Sequence, residues 1–134
     1  MSMFSIFNVS GSAISSQAQR LNVVASNLAN ADAVAGPDGQ GYKARQLVFE
    51  TVPMGSQAAA GVKVSSVRES QEPLKRVHNP SHPSADADGY VTQSNVNPVE
   101  EMVNMISASR SYQNNVEVMN TAKTLLLKTL QMGQ

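Results

Sequence analysis

The sequence contains no cysteine, which excludes a disulfide framework, a thiolate zinc site, an iron–sulfur cluster and a thiol nucleophile. Charge is scarce as well. Asp, Glu, Lys and Arg make up 15% of the 134 residues, against about 25% in an ordinary globular domain. Ten basic residues balance ten acidic ones. Nucleic acid and anionic membranes are held mainly by Lys and Arg neutralising phosphates, so neither is an expected partner. No apolar run exceeds three residues, and no segment reads as a bilayer-spanning helix. The first charge is Arg20, whereas a cleavable signal peptide opens with a basic region ahead of its apolar core. Any passage out of the cytoplasm is therefore expected to use a different route.

What is present instead is small and amide polarity: 17 Ser, 11 Asn and 10 Gln. The composition is uneven along the chain. All six prolines lie between Pro37 and Pro98, and only Gly11 and Gly133 of the eight glycines lie outside that stretch. Of the 20 charges, one falls in residues 1–31, thirteen in 32–98 and six in 99–134. This divides the chain into an N-terminal core helix within 1–35, a β- and loop-rich middle over 36–97, and a C-terminal core helix over 98–134. The two ends are expected to pair as one domain. The middle, at 62 residues, is near the lower limit for a self-supporting core.

The N-terminal segment repeats with a period near 3.5. Phe7, Ile14, Leu21 and Leu28 are spaced by seven, with Ser10, Gln17, Val24 and Ala31 three residues after each, and Gly11, Ala18 and Ala25 four after. A row of large apolar residues beside a row of small ones is a helical packing seam in which backbones approach closely. Ser2 and Asn8 are candidate caps, and the helix should end near Asn30–Asp32. At average usage a 31-residue solvent-facing helix would carry about eight charges, yet only Arg20 is present. The outer face consists of Ser12, Ser15, Ser16, Gln19, Asn22, Ser26, Asn27 and Asn30. Such a face is too polar for lipid and poorly charged for water, and its amides and hydroxyls suit hydrogen bonding to surrounding protein. We expect Gln19, Arg20, Asn22, Ser26, Asn27 and Asn30 to contact neighbouring subunits.

The C-terminal helix has a marked start: Asn97 as cap, Pro98 at the first helical position and Glu100 at N3. Met105, Tyr112, Met119 and Leu126 form a second row spaced by seven, with Ala108 and Ala122 three after, and Val116 and Leu130 four after. Ser109 and Lys123 interrupt the pattern. Two long helices with such rows are expected to pair as a coiled coil, Phe7, Ile14, Leu21, Val24 and Leu28 meeting Met105, Tyr112, Val116, Met119 and Leu126. The expected fold is thus mainly α with a small β-rich middle. Strands are expected at Tyr42–Val52, Gly61–Arg68, Leu74–His78 and Gly89–Thr92, separated by turn chemistry at Pro53–Gly55 and Asn79–Pro83.

Nothing in the middle reads as a catalytic or cofactor site. His78 and His82 have the spacing of helical metal ligands, but Pro80 and Pro83 forbid a regular helix there. Asp86-Ala87-Asp88-Gly89 resembles the start of a calcium loop without its later ligands, and an Asx turn accounts for it. Gly36-Pro37-Asp38-Gly39-Gln40-Gly41 follows a helix and contains proline, unlike a phosphate cradle. We therefore expect no enzyme, no cofactor, no metal and no small-molecule substrate.

Ser12-Ala13, the run Gln19-Arg20-Leu21-Asn22-Val23-Val24-Ala25-Ser26-Asn27-Leu28-Ala29-Asn30-Ala31, and Gly41-Tyr42-Lys43 together resemble the N-terminal signature of the bacterial flagellar rod, hook and hook-associated axial proteins. The segments Pro83 to Val91, Asn95-Val96-Asn97 and Glu101 to Gln113, the Gly36–Gln40 insertion and the short length resemble a rod member of that family. The resemblance implies a structural subunit of the proximal rod in the basal body, polymerising in the periplasm and transmitting torque from motor to hook. It implies export through the flagellar type III apparatus without a cleaved signal peptide. The partners it implies are other rod proteins, copies of this chain and the motor-ring base. A different class remains open on the residues alone: a soluble helical-hairpin binding module or secretion adaptor acting as a discrete complex.

Overall fold

The computed structural model describes residues 3–55 and 58–133. Its frame is two long helices, α1 (Met3–Ala29) and α2 (Pro98–Met132), about 40 and 52 Å long at 1.5 Å per residue. They pack side by side and antiparallel. Asn27 near the end of α1 meets Glu101 at the start of α2, and a Cβ built on Gly11 would lie 3.8 Å from the Met119 methyl. The start of α2 is the one expected: Asn97 Oδ1 accepts from the Val99 and Glu100 amides, and Pro98 occupies the first turn. Asn8 lies inside α1 and caps nothing, while Ser2 falls outside the described residues.

The middle forms two small antiparallel sheets. β1 (Arg45–Pro53) and β2 (Ala60–Glu69) make a long hairpin with a register irregularity between Val48 and Phe49. Gly55, with φ +83°, takes a left-handed conformation in the turn, which glycine adopts without a Cβ penalty. β3 (Arg76–His78) and β4 (Tyr90–Thr92) form the second pair. Val34 bridges Gln93, and Ala35 N–H donates to Thr92 O, so the chain leaving α1 runs along β4. The four strands coincide with the four expected segments to within a few residues.

The interior is unusual in what fills it. Its buried apolar residues are Val24, Ala35, Ala44, Ala59, Val91, Val96, Ala108 and Ala122, all small or medium. The largest fully buried side chains are Asn27, Ser16 and Ser94. Val99, Met102, Val103, Ile106, Leu125 and Leu130 are meanwhile more than half exposed. A self-sufficient domain does the reverse, burying large apolar groups and leaving polar ones out.

Gly61 shows how closely the hairpin sits on α1. It is buried, and an added Cβ would come within 2.8 Å of Ser12 Oγ and Met54 Sδ. Met54 can swing away, but Ser12 Oγ is held between Val9 O at 2.7 Å and Val62 N–H at 3.1 Å. Gly61→Ala is expected to break the Ser12–Val62 bond and lower stability by about 1–2 kcal/mol. A thermal melt measures it, and Gly55→Ala, in open space but with a positive φ, serves as a comparison for backbone strain alone.

Candidate assembly surfaces

Two polar anchors join α1 to the β-hairpin. Ser12 and Ser16, one helical turn apart, hold Val62 of β2: Ser12 Oγ accepts from its N–H, and Ser16 Oγ donates to its C=O at 3.3 Å. Near the other end of α1, Asn27 does the same to Arg45 at the start of β1. Asn27 Nδ2 donates to Arg45 O at 2.8 Å, and Oδ1 accepts from Arg45 N–H at 3.0 Å. Helix side chains thus take the place of a neighbouring strand. Asn27 also donates to Glu101 Oε2 at 3.1 Å and accepts from Tyr42 Oη at 2.8 Å. All four of its hydrogen-bonding positions are filled, and it ties α1, the Tyr42 segment, β1 and α2 together at one buried point. Ser26 Oγ lies 3.3 Å from the same Tyr42 hydroxyl.

This arrangement corrects the reading of the polar face of α1. Asn27 is 1% exposed and bonded wholly within the chain, so it cannot serve a neighbouring subunit. Ser26, Ser12 and Ser16 are likewise engaged by the chain's own middle segment. Asn30 Nδ2 donates back to Ser26 O. Gln19 and Asn22 are exposed, and Arg20 is half-buried. Helical periodicity shows which residues share a face but not what covers it. The partners Val62 and Arg45 lie 18–50 residues away, beyond any local signal. Tyr42 and Glu101 lie in the segments that carry the family resemblance, and the sequence reads Glu101 as a first-turn residue favouring the helix dipole, but no local pattern marks either as a partner of Asn27.

Of the expected seam residues, Val24 is buried at 4% exposure. Phe7, Ile14, Leu21 and Leu28 are half-buried, as are Met105, Tyr112, Val116, Met119 and Leu126. The closest contact falls to the small rows, with Ser10 at 4%, Ala108 at 0% and Ala122 at 3% exposure. Gln17, in the same row as Ser10, has a buried Oε1 with no donor among the described residues. Small residues let the helices approach, which leaves the large row at the margins of the seam.

The expected turns of the middle segment are structural. Asp86 Oδ1 accepts from the amides of Asp88 and Tyr90, and Oδ2 binds Arg76, whose guanidinium also stacks over the Tyr90 ring. Its oxygens are therefore occupied by the turn itself. His82 Nδ1 accepts from Ser84 N–H, and His78 packs edge-on against Tyr90. No group of three potential ligands for a metal ion occurs among the described residues. None of the described helices is long and apolar enough to cross a membrane.

Asp86 has a predictable pH response. The Tyr90 amide first, then the Asp88 amide and the charge of Arg76, hold its carboxyl below the ordinary value of 3.8, against an opposing desolvation. A carboxyl depressed in the folded state stabilises above the unfolded value and ceases to do so as pH falls through the folded one. The 79–89 turn should hold unchanged from neutral pH down to about 4 and loosen below it. The amide shifts of Asp88 and Tyr90 followed by NMR would show this, and Asp86→Ala should abolish the transition.

A cleft of ≈ 390 Å³ opens between α1, β1 and the first turns of α2. Val23, Leu47 and Phe49 supply apolar wall, and Arg20, Arg45 and Glu100 supply charge. Beside it, Val99, Met102, Val103 and Ile106 form an exposed apolar stripe on α2.

A helical hairpin with a β-arm, a thin polar-anchored interior and large apolar residues on its surface is the build of an assembly subunit. Comparison with known proteins agrees at both ends. Residues 7–37 match the family described as "Flagella basal body rod protein", and residues 87–132 match "Flagellar basal body rod FlgEFG protein C-terminal". Over the full length of both chains the sequence is 58% identical to the flagellar basal-body rod protein FlgC of Salmonella typhimurium and 55% identical to that of Yersinia enterocolitica. It is 47% identical over 136 aligned positions to the FlgC of Buchnera aphidicola subsp. Schizaphis graminum, again covering both chains fully. The chain belongs to the flagellar basal-body rod protein family, alongside the FlgC proteins.

Proposed function

We propose that this chain is a structural subunit of the proximal rod, laid down with other rod proteins and copies of itself to carry torque from the motor to the hook. One observation supports this beyond family membership: the interior is filled by small and polar side chains while large apolar residues on α2 stand exposed. Surface of that kind marks protein–protein contact. Its stability is completed by neighbours. In the rod, α1 and α2 pair as a coiled coil through Phe7, Ile14, Leu21, Val24 and Leu28 against Met105, Tyr112, Val116, Met119 and Leu126. Gln19, Arg20, Asn22 and Asn30 face adjacent subunits and resist slippage under torsion. The role is structural and not catalytic. The subunit reaches the periplasm through the flagellar type III export apparatus, without a cleaved signal, and builds outward from the motor-ring base.

Leu21→Asp places a charge at the seam of the hairpin. Expression should persist, while basal bodies isolated from cells carrying only this variant should lack the chain and the cells should not swim. Normal motility would overturn the reading. A discrete soluble adaptor, the competing class, would instead be recovered as a fixed small complex and be absent from wild-type basal bodies.

A further inference from the structure

We infer that the outer edge of β1 takes one further strand: an extended, uncharged segment of a different rod protein, laid in the cleft over the first turns of α2. This deepens the rod reading proposed above and rests on it.

In an antiparallel ladder one residue pair exchanges hydrogen bonds and the next turns its N–H and C=O outward. Two observations fix which is which in the β1–β2 hairpin. Asn27 takes both backbone groups of Arg45, and Ser12 and Ser16 take both of Val62, the residue opposite Thr51. Arg45 and Thr51 therefore turn outward, and so do Leu47 and Phe49 between them. The register irregularity leaves this alternation intact, because the extra residue is Ser65 on β2. Arg45 has Asn27 standing in for a strand. Leu47 and Phe49 have nothing comparable. Among the described residues β1 pairs with β2 alone, and no side chain bonds the outward groups of these two residues.

The two edges of the hairpin are finished differently. β2 carries the extra residue together with Lys63, Arg68 and Glu69, features that make an edge unfit for pairing. β1 runs Gln46-Leu47-Val48-Phe49 with no charge, proline or extra residue. That stretch opens onto the cleft of ≈ 390 Å³, with Val23 of α1 and Asn104 of α2 on the other walls. A third strand would lie about 4.8 Å beyond β1, over the start of α2, against which neither strand of the hairpin packs. In such an addition main-chain bonds give affinity and alternate side chains give specificity. The charges around the cleft, Arg20 and Arg45 against Glu100 and Glu101, balance. The fitting segment is therefore uncharged, with apolar residues at alternate positions to meet Val23, Leu47 and Phe49. A second copy offers only its charged β2 edge or its own β1 edge. Pairing of β1 with β1 has a two-fold axis and closes on itself, so it cannot extend a column.

Proline tests the edge without touching the ladder behind it, because at Leu47 it removes an amide that only an added strand would use. Purified Leu47→Pro is expected to melt close to the parent, whereas Gln46→Pro, which removes an amide bonded to β2, should melt well below both. In cells making only the Leu47→Pro chain, its amount in isolated basal bodies should fall about tenfold or more. Leu47→Val keeps the amide and an apolar side chain and should enter like the parent. Hydrogen exchange reads the edge directly: the Leu47 and Phe49 amides should exchange rapidly in the purified subunit, even when concentrated, and become protected in basal bodies. Normal incorporation of Leu47→Pro, equal loss of Leu47→Val, or no gain of protection would each overturn the inference. So would a Leu47→Pro subunit that melts as low as Gln46→Pro, since the edge would then already be in use. Protection in the concentrated purified chain would give the edge to a second copy and overturn the choice of partner. Absence of the chain from wild-type basal bodies would instead overturn the rod reading itself, so the two failures are distinguishable.

Discussion

Asn27→Ala should lower the stability of the subunit by about 3 kcal/mol or more, a large share of what a domain of this size possesses. The expectation rests on completeness. Asn27 uses both amide protons and both carbonyl lone pairs, on Arg45 O, Glu101 Oε2, Tyr42 Oη and Arg45 N–H. Its side chain is 1% exposed, so water cannot take over when it is removed. Each abandoned partner bears its own desolvation cost, including the Glu101 carboxylate, which is 5% exposed. Asn27→Asp isolates the role of the two donors. It keeps the bonds from Tyr42 and the Arg45 amide, loses those to Arg45 O and Glu101, and sets two carboxylates against each other. Asn27→Asp with Glu101→Gln restores a donor facing the new carboxylate and should recover part of the loss. Urea unfolding of the parent, Asn27→Asp, Glu101→Gln and the double variant forms a double-mutant cycle. Strict additivity would show that Asn27 and Glu101 are not coupled.

The same residue shows where sequence reasoning reached and where it stopped. The rows of seven in α1 and α2, the Asn97-Pro98 helix start and the four strand segments were legible because each is a local pattern with a local cause. The charge deficit of residues 1–31 was legible too, and it pointed to a helix with protein packed around it. What enclosed it was not legible in full. Ser12, Ser16 and Asn27 have the composition of a face that bonds neighbouring chains, but their acceptors and donors are Val62 and Arg45 of the same chain. A helix covered by its own β-arm and one covered by a neighbour ask for the same side chains. Only the long-range pairing separates them. The seam shows a related effect. Spacing of seven identified both rows on each helix, yet the depth order depends on how near the backbones come, and Ala108 and Ala122 allow the close approach that leaves Tyr112 and Leu126 half-buried.

Ala108→Leu should be the most damaging single apolar change in α2, while Ile106→Asp, two residues away, should leave the subunit folded and still block its incorporation. Ala108 has 0% exposure and lies about a third of the way along α2, on the side that faces α1. A leucine there must separate the helices or adopt a strained rotamer, costing up to about 3 kcal/mol. Separation would also draw on the Asn27–Glu101 bond, which has no slack at 3.1 Å. Ile106 points the other way, with 56% of its surface exposed, in the stripe with Val99, Met102 and Val103. A carboxylate there can reach solvent in the isolated subunit, so its melting temperature should stay close to that of the parent. In an assembled rod the same carboxylate would be buried against apolar neighbours, where an unpaired charge is costly. Thermal melts of the two purified variants, together with their recovery in isolated basal bodies, separate the cases. Ala108→Leu should fail both measurements and Ile106→Asp only the second. If Ile106→Asp enters the rod as well as the parent does, the exposed stripe of α2 faces solvent in the assembly, and the large apolar residues there do not serve subunit contact.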